Sequence, residues 1–320
     1  MQIETELSQQ LEPCCIALGF FDGVHMGHRR IIDSMKEYAA EKHILSAVFT
    51  FSSSPAAALG KASSRSLMTA DDKTAAFAAM NIDKCFIPDF YAYKNISADD
   101  FVEKILIKQL NAKALFCGYN YRFGKFAAGS CALLAEICEK YGVEVFVSAP
   151  VCSGDSTVSS SRIRDLIESG KMLEANSLMQ SPFTISGAVA HGLENGRTVG
   201  IPTINQAIPE GFVVPRFGAY ASFAVVDGVR YDSVTNIGTR PTVSGHGVNC
   251  ETHILENFSG ELYGRDVRTQ LLWFERDEKK FGSLKELAKQ ISHDIEHINN
   301  LKIYELYKSG EYLNGSKGIG

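Results

Sequence analysis

The feature that most constrains the fold is a change of rhythm near residue 180. Before it, short apolar runs alternate with stretches of helical period. Residues 15–18, 45–51, 114–117 and 143–147 read as buried strands. Between them lie helices: one carries Ile31, Ile32, Met35, Tyr38 and Ala39 on one face, and others span 98–110 and 130–141. This alternation predicts a parallel, doubly wound α/β sheet of Rossmann-like type, with ligands at the carboxyl ends of its strands. Helices at 162–169 and 171–179 close the half. After it, strands follow strands, at 183–190, 219–226, 229–237, 248–255 and 267–274. Asp227-Gly228 separates two of them as a type I′ hairpin turn. The second half therefore predicts a small antiparallel β-barrel finished by one amphipathic helix over 283–299. The expected domains are 1–180 and 181–308, with a flexible tail at 309–320.

The 320 residues suffice for two cores. Lys and Arg number 32 against 37 Asp and Glu, a net charge of −5, so the chain has no global basic field and a nucleic-acid partner is not expected. A local cluster can still hold a small anion. No apolar run approaches the ~20 residues that cross a bilayer, and the polar, acidic N-terminus is unlike a signal peptide. The eight cysteines form no Cys-x-x-Cys pair, and Cys117, Cys131 and Cys138 fall in apolar or helical patterns, which predicts buried thiols rather than a zinc site. A cytoplasmic chain without a membrane partner is expected, and its oligomeric state is left open.

Four constellations carry chemistry. The first is Gly19-Phe20-Phe21-Asp22-Gly23-Val24-His25-Met26-Gly27-His28, where the first strand ends and the first helix begins. Its glycines let the backbone approach a ligand, and the helix start offers N–H groups to phosphate. His25 and His28 can donate to a charged phosphate; the plainer reading is a glycine turn with two solvated histidines. The second is Ser159-Ser160-Ser161-Arg162, a helix start whose hydroxyls and guanidinium suit a triphosphate, and whose serines equally serve as caps. Between them, Gly118-Tyr119-Asn120-Tyr121-Arg122-Phe123-Gly124 can clamp a flat ligand or simply cover the sheet edge.

The third runs from Gly196 through Arg197-Thr198-Val199-Gly200-Ile201-Pro202-Thr203-Ile204 to Asn205. Gly192, Gly196 and Gly200 suit close approach to phosphate. Thr203 and Asn205 share a strand face, so both oxygens can reach one Mg²⁺; the alternative is a turn-rich hairpin. The fourth is Glu251, which alternation places on one strand face with Asn249 and His253. It can accept a proton from a substrate hydroxyl, or belong to a solvated face.

These motifs in this order, over roughly residues 12–300, resemble the bifunctional prokaryotic riboflavin kinase/FAD synthetase family. Ile237-Gly238-Thr239-Arg240-Pro241-Thr242 adds to the likeness. The resemblance implies an N-terminal FMN adenylyltransferase and a C-terminal riboflavin kinase, with ATP and Mg²⁺ required and riboflavin, FMN and FAD as substrates and products. It puts Gly19, Phe20, Asp22, Gly27, Ser159, Ser160 and Ser161 at the ATP phosphates, with His25, His28 and Arg162 catalytic. Gly192, Gly196 and Gly200 would serve ATP in the kinase half. Asn120, Arg122 and Phe123 would meet flavin, Thr203 and Asn205 would hold Mg²⁺, and Glu251 would be the kinase base. One departure stands out. Where the family reads Thr-Phe-Asp-Pro-His-Pro after the second strand, this chain reads Thr50-Phe51-Ser52-Ser53-Ser54-Pro55. The loss of a carboxylate and an imidazole implies weaker nucleotide positioning. It keeps two alternatives open: a kinase with a degenerate N-terminal half, and a flavin-sensing regulator.

Overall fold

The computed structural model describes residues 1–55, 65–190, 203–242, 245–255, 258, 262–279 and 281–314. Contacts divide the chain into two units, 1–160 and 161–320.

The first unit holds a parallel sheet of β1 (Gln2–Glu4), β2 (Cys14–Leu18), β3 (Leu45–Phe49), β4 (Lys84–Phe86), β5 (Ala112–Gly118) and β6 (Glu144–Ser148), in the order β1-β4-β3-β2-β5-β6. Every residue of β2 is buried, Cys14, Ile16 and Leu18 in one core and Cys15 and Ala17 in the other. A strand covered on both faces reads as a continuous apolar run, which is why it was visible in sequence. The chain builds β3 and β4 on one side of β2, then returns to lay β5 on the other. β2 therefore borders the topological switch point, where a crevice opens at the carboxyl ends. β1 was not foreseen: a polar three-residue edge strand exists only through its pairing with β4.

The helix expected over 98–110 is Ala98–Asp100 running into π-helical turns over Phe101–Gln109. Phe101 and Leu106 are both buried. The wider i→i+5 winding brings residues five apart onto one side, where a regular α-helix would splay them. Beyond β6, a short hairpin of β7 (Cys152–Ser153) and β8 (Ser156–Thr157) precedes the helix Ser160–Glu168.

The second unit is an antiparallel sheet of β9 (Phe183–Ala188), β10 (Thr203–Ala207), β11 (Gly218–Val226), β12 (Val229–Thr242), β13 (Gly245–Ile254) and β14 (Asp266–Asp277), in the order β10-β13-β12-β11-β14-β9. Its two ends meet. Ala190 N–H donates to Asn205 O at 2.8 Å, and Gln206 Nε2 donates to Gly187 O at 3.0 Å, so the sheet curls nearly into a barrel. Asp227 (φ 50°) and Gly228 (φ 82°) both take the left-handed conformation that a type I′ turn demands. The helix Leu284–Asn300 is tied to β14 by Arg276, which grips Asp294 from Nε and Nη2 at 3.0 and 2.8 Å.

Two boundaries differ from the sequence reading. The helices Ser160–Glu168 and Met172–Met179 fall almost entirely within the second unit rather than closing the first. Asn176 shows why: its Nδ2 donates to Leu271 O and Tyr307 Oη at 2.8 and 2.7 Å, and its Oδ1 accepts Phe183 N–H at 2.7 Å. The tail placed at 309–320 is also corrected. Residues Glu311–Asn314 form a 3₁₀ turn, and Tyr312 stacks on Tyr307 at 4.3 Å between ring centroids.

A buried line of hydroxyls crosses this unit. Ser222 meets Ser233 at 2.9 Å and Thr235 at 2.7 Å, Thr235 meets Thr252 at 2.8 Å, Thr252 meets Thr269 at 3.2 Å, and Thr269 donates to Gln206 Oε1 at 2.7 Å. Such a network stabilises only while every member is satisfied. Thr252→Val keeps the volume but leaves Thr235 and Thr269 each short of a partner, at an expected cost of about 1–3 kcal/mol. Chemical denaturation followed by Trp273 fluorescence reads this directly, because the chain's single tryptophan lies on β14.

Candidate active sites

A cavity of about 500 Å³ opens in the first unit where the switch point predicts it. Leu18 ends β2 and Gly19 follows it, Phe49 ends β3 and Phe51 lies just beyond, and Gly118 ends β5. Phe20, His28, Asn120, Arg122 and Phe123 also line it, so the glycine–histidine turn and the aromatic glycine loop meet on one cavity. At Gly124, φ is 70° and a Cβ would lie 2.8 Å from the Ala98 backbone, so only glycine lets the loop double back there.

His25 is the N-cap of the helix Met26–Lys42, its Nδ1 accepting His28 N–H at 3.4 Å. The two imidazoles stack at 3.6 Å between centroids, and Phe21 meets His28 edge-on at 5.3 Å. Gly27 packs closely beside the stack, since a Cβ there would come within 3.2 Å of His25 Cε1. Burial lowers the His25 pKa to about 4. Burial, and then the charges of His25 and Lys73, put His28 well below the ordinary imidazole range. Both rings are therefore neutral at pH 7. His28 Nδ1 is buried without a hydrogen-bond partner in the protein. His28 also lines the cavity, and a buried polar atom without a partner is rare enough to mark a functional position.

Asp22 acts through its loop: its carboxylate accepts Leu67 N–H at 2.8 Å, and its carbonyl accepts Ser160 Oγ at 2.9 Å. That second bond joins the serine motif to the glycine–histidine turn. Ser159 precedes the helix that Ser160 opens. Ser161 and Arg162 belong to the second unit, where Arg162 Nη2 pairs with Glu174 Oε1 at 2.8 Å. Of the altered segment after β3, Ser52 N–H donates to Pro88 O at 3.2 Å and Ser53 Oγ donates to Asp89 Oδ1 at 3.3 Å.

Sequence reasoning missed Lys73. It lies in the helix Ala70–Ala79 with Phe77, and both are buried. The signal was available, since a lysine four residues before a buried phenylalanine sits on the apolar phase of that helix.

In the second unit, β13 brings Glu251 opposite Asn205 of β10 and Asn236 of β12. Asn249, two residues away on the same face, donates from Nδ2 to both Asn205 Oδ1 and Glu251 Oε1 at 3.1 Å. Asn249 was seen on this face but not given a role; it holds the two oxygen groups together. Thr203 opens β10. Gly192, Gly196 and Gly200 lie outside the described residues.

An α/β unit with a cavity at its switch point, followed by an antiparallel barrel with paired Asn and Glu oxygens, defines a two-module, ligand-binding protein. The FAD synthetase family model matches residues 7–162, and the riboflavin kinase family model matches residues 179–302. The chain is 31% identical over 299 residues to the Bacillus subtilis bifunctional riboflavin kinase/FMN adenylyltransferase, covering 90% of this chain and 93% of that one. It is 34% identical over 287 residues to the Escherichia coli K12 protein of the same name, covering 88% and 91%. A solved structure titled a macrolide-efflux protein, from Streptococcus pneumoniae, superposes with a TM-score of 0.82 at 26% identity, over 93% of this chain and 98% of that one. Among the described residues, no helix is long and apolar enough to cross a membrane. The chain belongs to the bifunctional riboflavin kinase/FMN adenylyltransferase family.

Proposed function

We propose that the chain makes FMN from riboflavin at the Asn205–Glu251 site and FAD from FMN at the cavity of the first unit, using ATP and Mg²⁺ for both. The convergence of His28, Asn120 and Arg122 on one cavity at the carboxyl ends of the strands is the observation that carries the second assignment. The FMN phosphate is already a nucleophile at neutral pH, so the step needs no general base. Its oxygen attacks the α-phosphorus of ATP, the bond to the β-phosphate breaks, and pyrophosphate leaves. Phe20, Asn120, Arg122 and Phe123 orient the substrates, and the imidazoles offer neutral N–H donors to the charge that builds on the phosphates. Gly19, Gly27, Ser159 and Ser160 form the backbone and hydroxyl surroundings of the phosphates.

In the kinase, Glu251 accepts the proton of the flavin 5′-hydroxyl as the hydroxyl oxygen attacks the γ-phosphorus of ATP, the bond to the β-phosphate oxygen breaks and ADP leaves. The amide oxygen of Asn205 is a hard donor of the kind Mg²⁺ takes, and a carboxylate held beside it favours a cation, so the residues fit the metal. Asn205 and Thr203 would hold it, and Gly192, Gly196 and Gly200 would lie along the ATP phosphates. Bound there, Mg²⁺ neutralises phosphate charge. Asn205→Leu removes one oxygen ligand. Riboflavin phosphorylation is then expected to need at least about tenfold more Mg²⁺ for half-maximal rate, while FAD formation from supplied FMN is unchanged. We place both reactions in the cytoplasm, where the eight unbonded cysteines stay reduced.

The test is to incubate the protein with riboflavin, ATP and Mg²⁺ and to separate the flavins chromatographically. FMN and FAD together are expected. FMN alone would mean that the first unit binds but does not transfer, and no product would mean a flavin-binding regulator.

A further inference from the structure

Lys73 is 3% exposed, and its ammonium is held by neutral oxygens only. Nζ donates to Phe20 O at 3.0 Å, Phe51 O at 3.1 Å and Thr50 Oγ1 at 3.2 Å, and lies 4.0 Å from the centroid of the Phe20 ring. Phe20 follows β2 and Phe51 follows β3, and both line the cavity of the first unit. The ammonium therefore pins together the two backbone turns that wall the site. Among the described residues, no carboxylate comes within ion-pair distance of it. Asp22 is the acidic group whose charge reaches it, yet that carboxylate is engaged by Leu67 N–H. A buried charge left without a counter-ion is costly and is seldom found without a reason. The neutral histidine stack beside it adds no positive charge at pH 7.

We propose that Lys73 is a positioning residue of adenylyl transfer, which sets the Phe20 and Phe51 walls and supplies the buried positive charge that the substrate polyphosphate neutralises on binding. The proposal rests on the assignment of FAD formation to this cavity. Its chemical target is the triphosphate of ATP rather than the flavin ring, because the groups it organises lack a compensating anion.

The charge of Lys73 also makes a pH signature. Burial lowers its pKa to about 8, partly opposed by Asp22 and Cys85. The ammonium is present below that pH and lost above it. Asp22 from the turn after β2, Cys85 from β4 and His28 from the first helix are the titratable groups whose charges reach it. Burial raises Cys85 to about 12 and keeps His28 neutral, so neither changes charge between neutral and mildly alkaline pH.

The experiment compares wild type with K73R, K73M and K73Q in the full chain. FAD formation from FMN and ATP is measured across pH, with riboflavin phosphorylation as the control for folding. In wild type, kcat/KM for ATP is expected to fall as pH rises through about 8, since that ratio reports the free enzyme. K73M and K73Q are expected to lose roughly 10- to 100-fold in kcat/KM, and to lose the alkaline limb with it. K73R, charged throughout, should recover at least about tenfold of that loss and show no limb near 8. K73Q stands in if K73M does not fold. Calorimetric titration with ATP gives an answer that does not depend on turnover: wild type should show two binding events, and the neutral variants should weaken one of them by at least about tenfold. Neutral variants with wild-type kcat/KM, an unchanged alkaline limb, or unchanged ATP affinity at both sites overturn the proposal. Failure of wild type to make FAD, with a weakened ATP event in K73Q, would sink the adenylyl-transfer reading and leave the phosphate role of Lys73 standing.

Discussion

Replacing Glu251 by glutamine is expected to lower riboflavin phosphorylation by about 10²- to 10⁴-fold, the usual contribution of a positioned general base. The amide keeps the shape of the side chain and can still meet Asn249, which now holds Glu251 Oε1 at 3.1 Å. What it cannot do is take up the hydroxyl proton. Flavin binding, followed by fluorescence quenching, should therefore survive. The adenylyltransferase reaction from supplied FMN should also run at the wild-type rate. A variant that phosphorylates riboflavin normally would remove Glu251 from the role of base and leave it as a structural partner of Asn205 and Asn249.

The mirror result is expected from His28→Ala. Its loss should depress FAD formation by about 10²- to 10³-fold, the cost of removing one donor to developing phosphate charge. Riboflavin phosphorylation should be untouched. The stacked partner His25 makes the experiment sharper, because it caps the helix through the backbone N–H of residue 28, which the substitution leaves in place. The helix Met26–Lys42 should therefore persist, and a parallel His25→Ala variant should also lose some helix stability. If His28→Ala formed FAD at the wild-type rate, the His28 imidazole would have no part in the reaction. The Ser52-Ser53-Ser54 segment bears on the same rate. It closes against Pro88 and Asp89, beside the cavity walls contributed by Phe51 and Phe90. Its effect is thus expected on substrate positioning more than on charge stabilisation at His28.

Much of this was legible in the residues because the two halves bury their strands differently. β2 and residues 114–117 of β5 are covered on both faces and read as unbroken apolar runs, while β11 to β14 come in quick succession with a turn such as Asp227-Gly228 between them. The glycine–histidine turn could be placed at a strand end because Gly19 directly follows the run that ends at Leu18. Asn205 and Glu251 could be matched as candidates, but only the register of β10 against β13 makes them neighbours. Strand alternation says which face a residue is on and nothing about which strand lies alongside.

The sequence by itself determined the two modules, the strand end that carries the histidines, and the residue types able to handle phosphate, flavin and metal. These follow from local rules of periodicity, turn chemistry and side-chain function, which act over a few residues. The tertiary structure alone decided the rest. It paired β1 with β4, wound residues 101–109 as a π-helix, drew Asn176 and Tyr312 into the second core, and set Lys73 beneath Phe20 and Phe51. Most of these depend on partners dozens of residues distant, whose contacts offset the cost of an irregular helix, a buried amide or a buried charge. No local pattern contains that compensation, so only the folded chain reveals it.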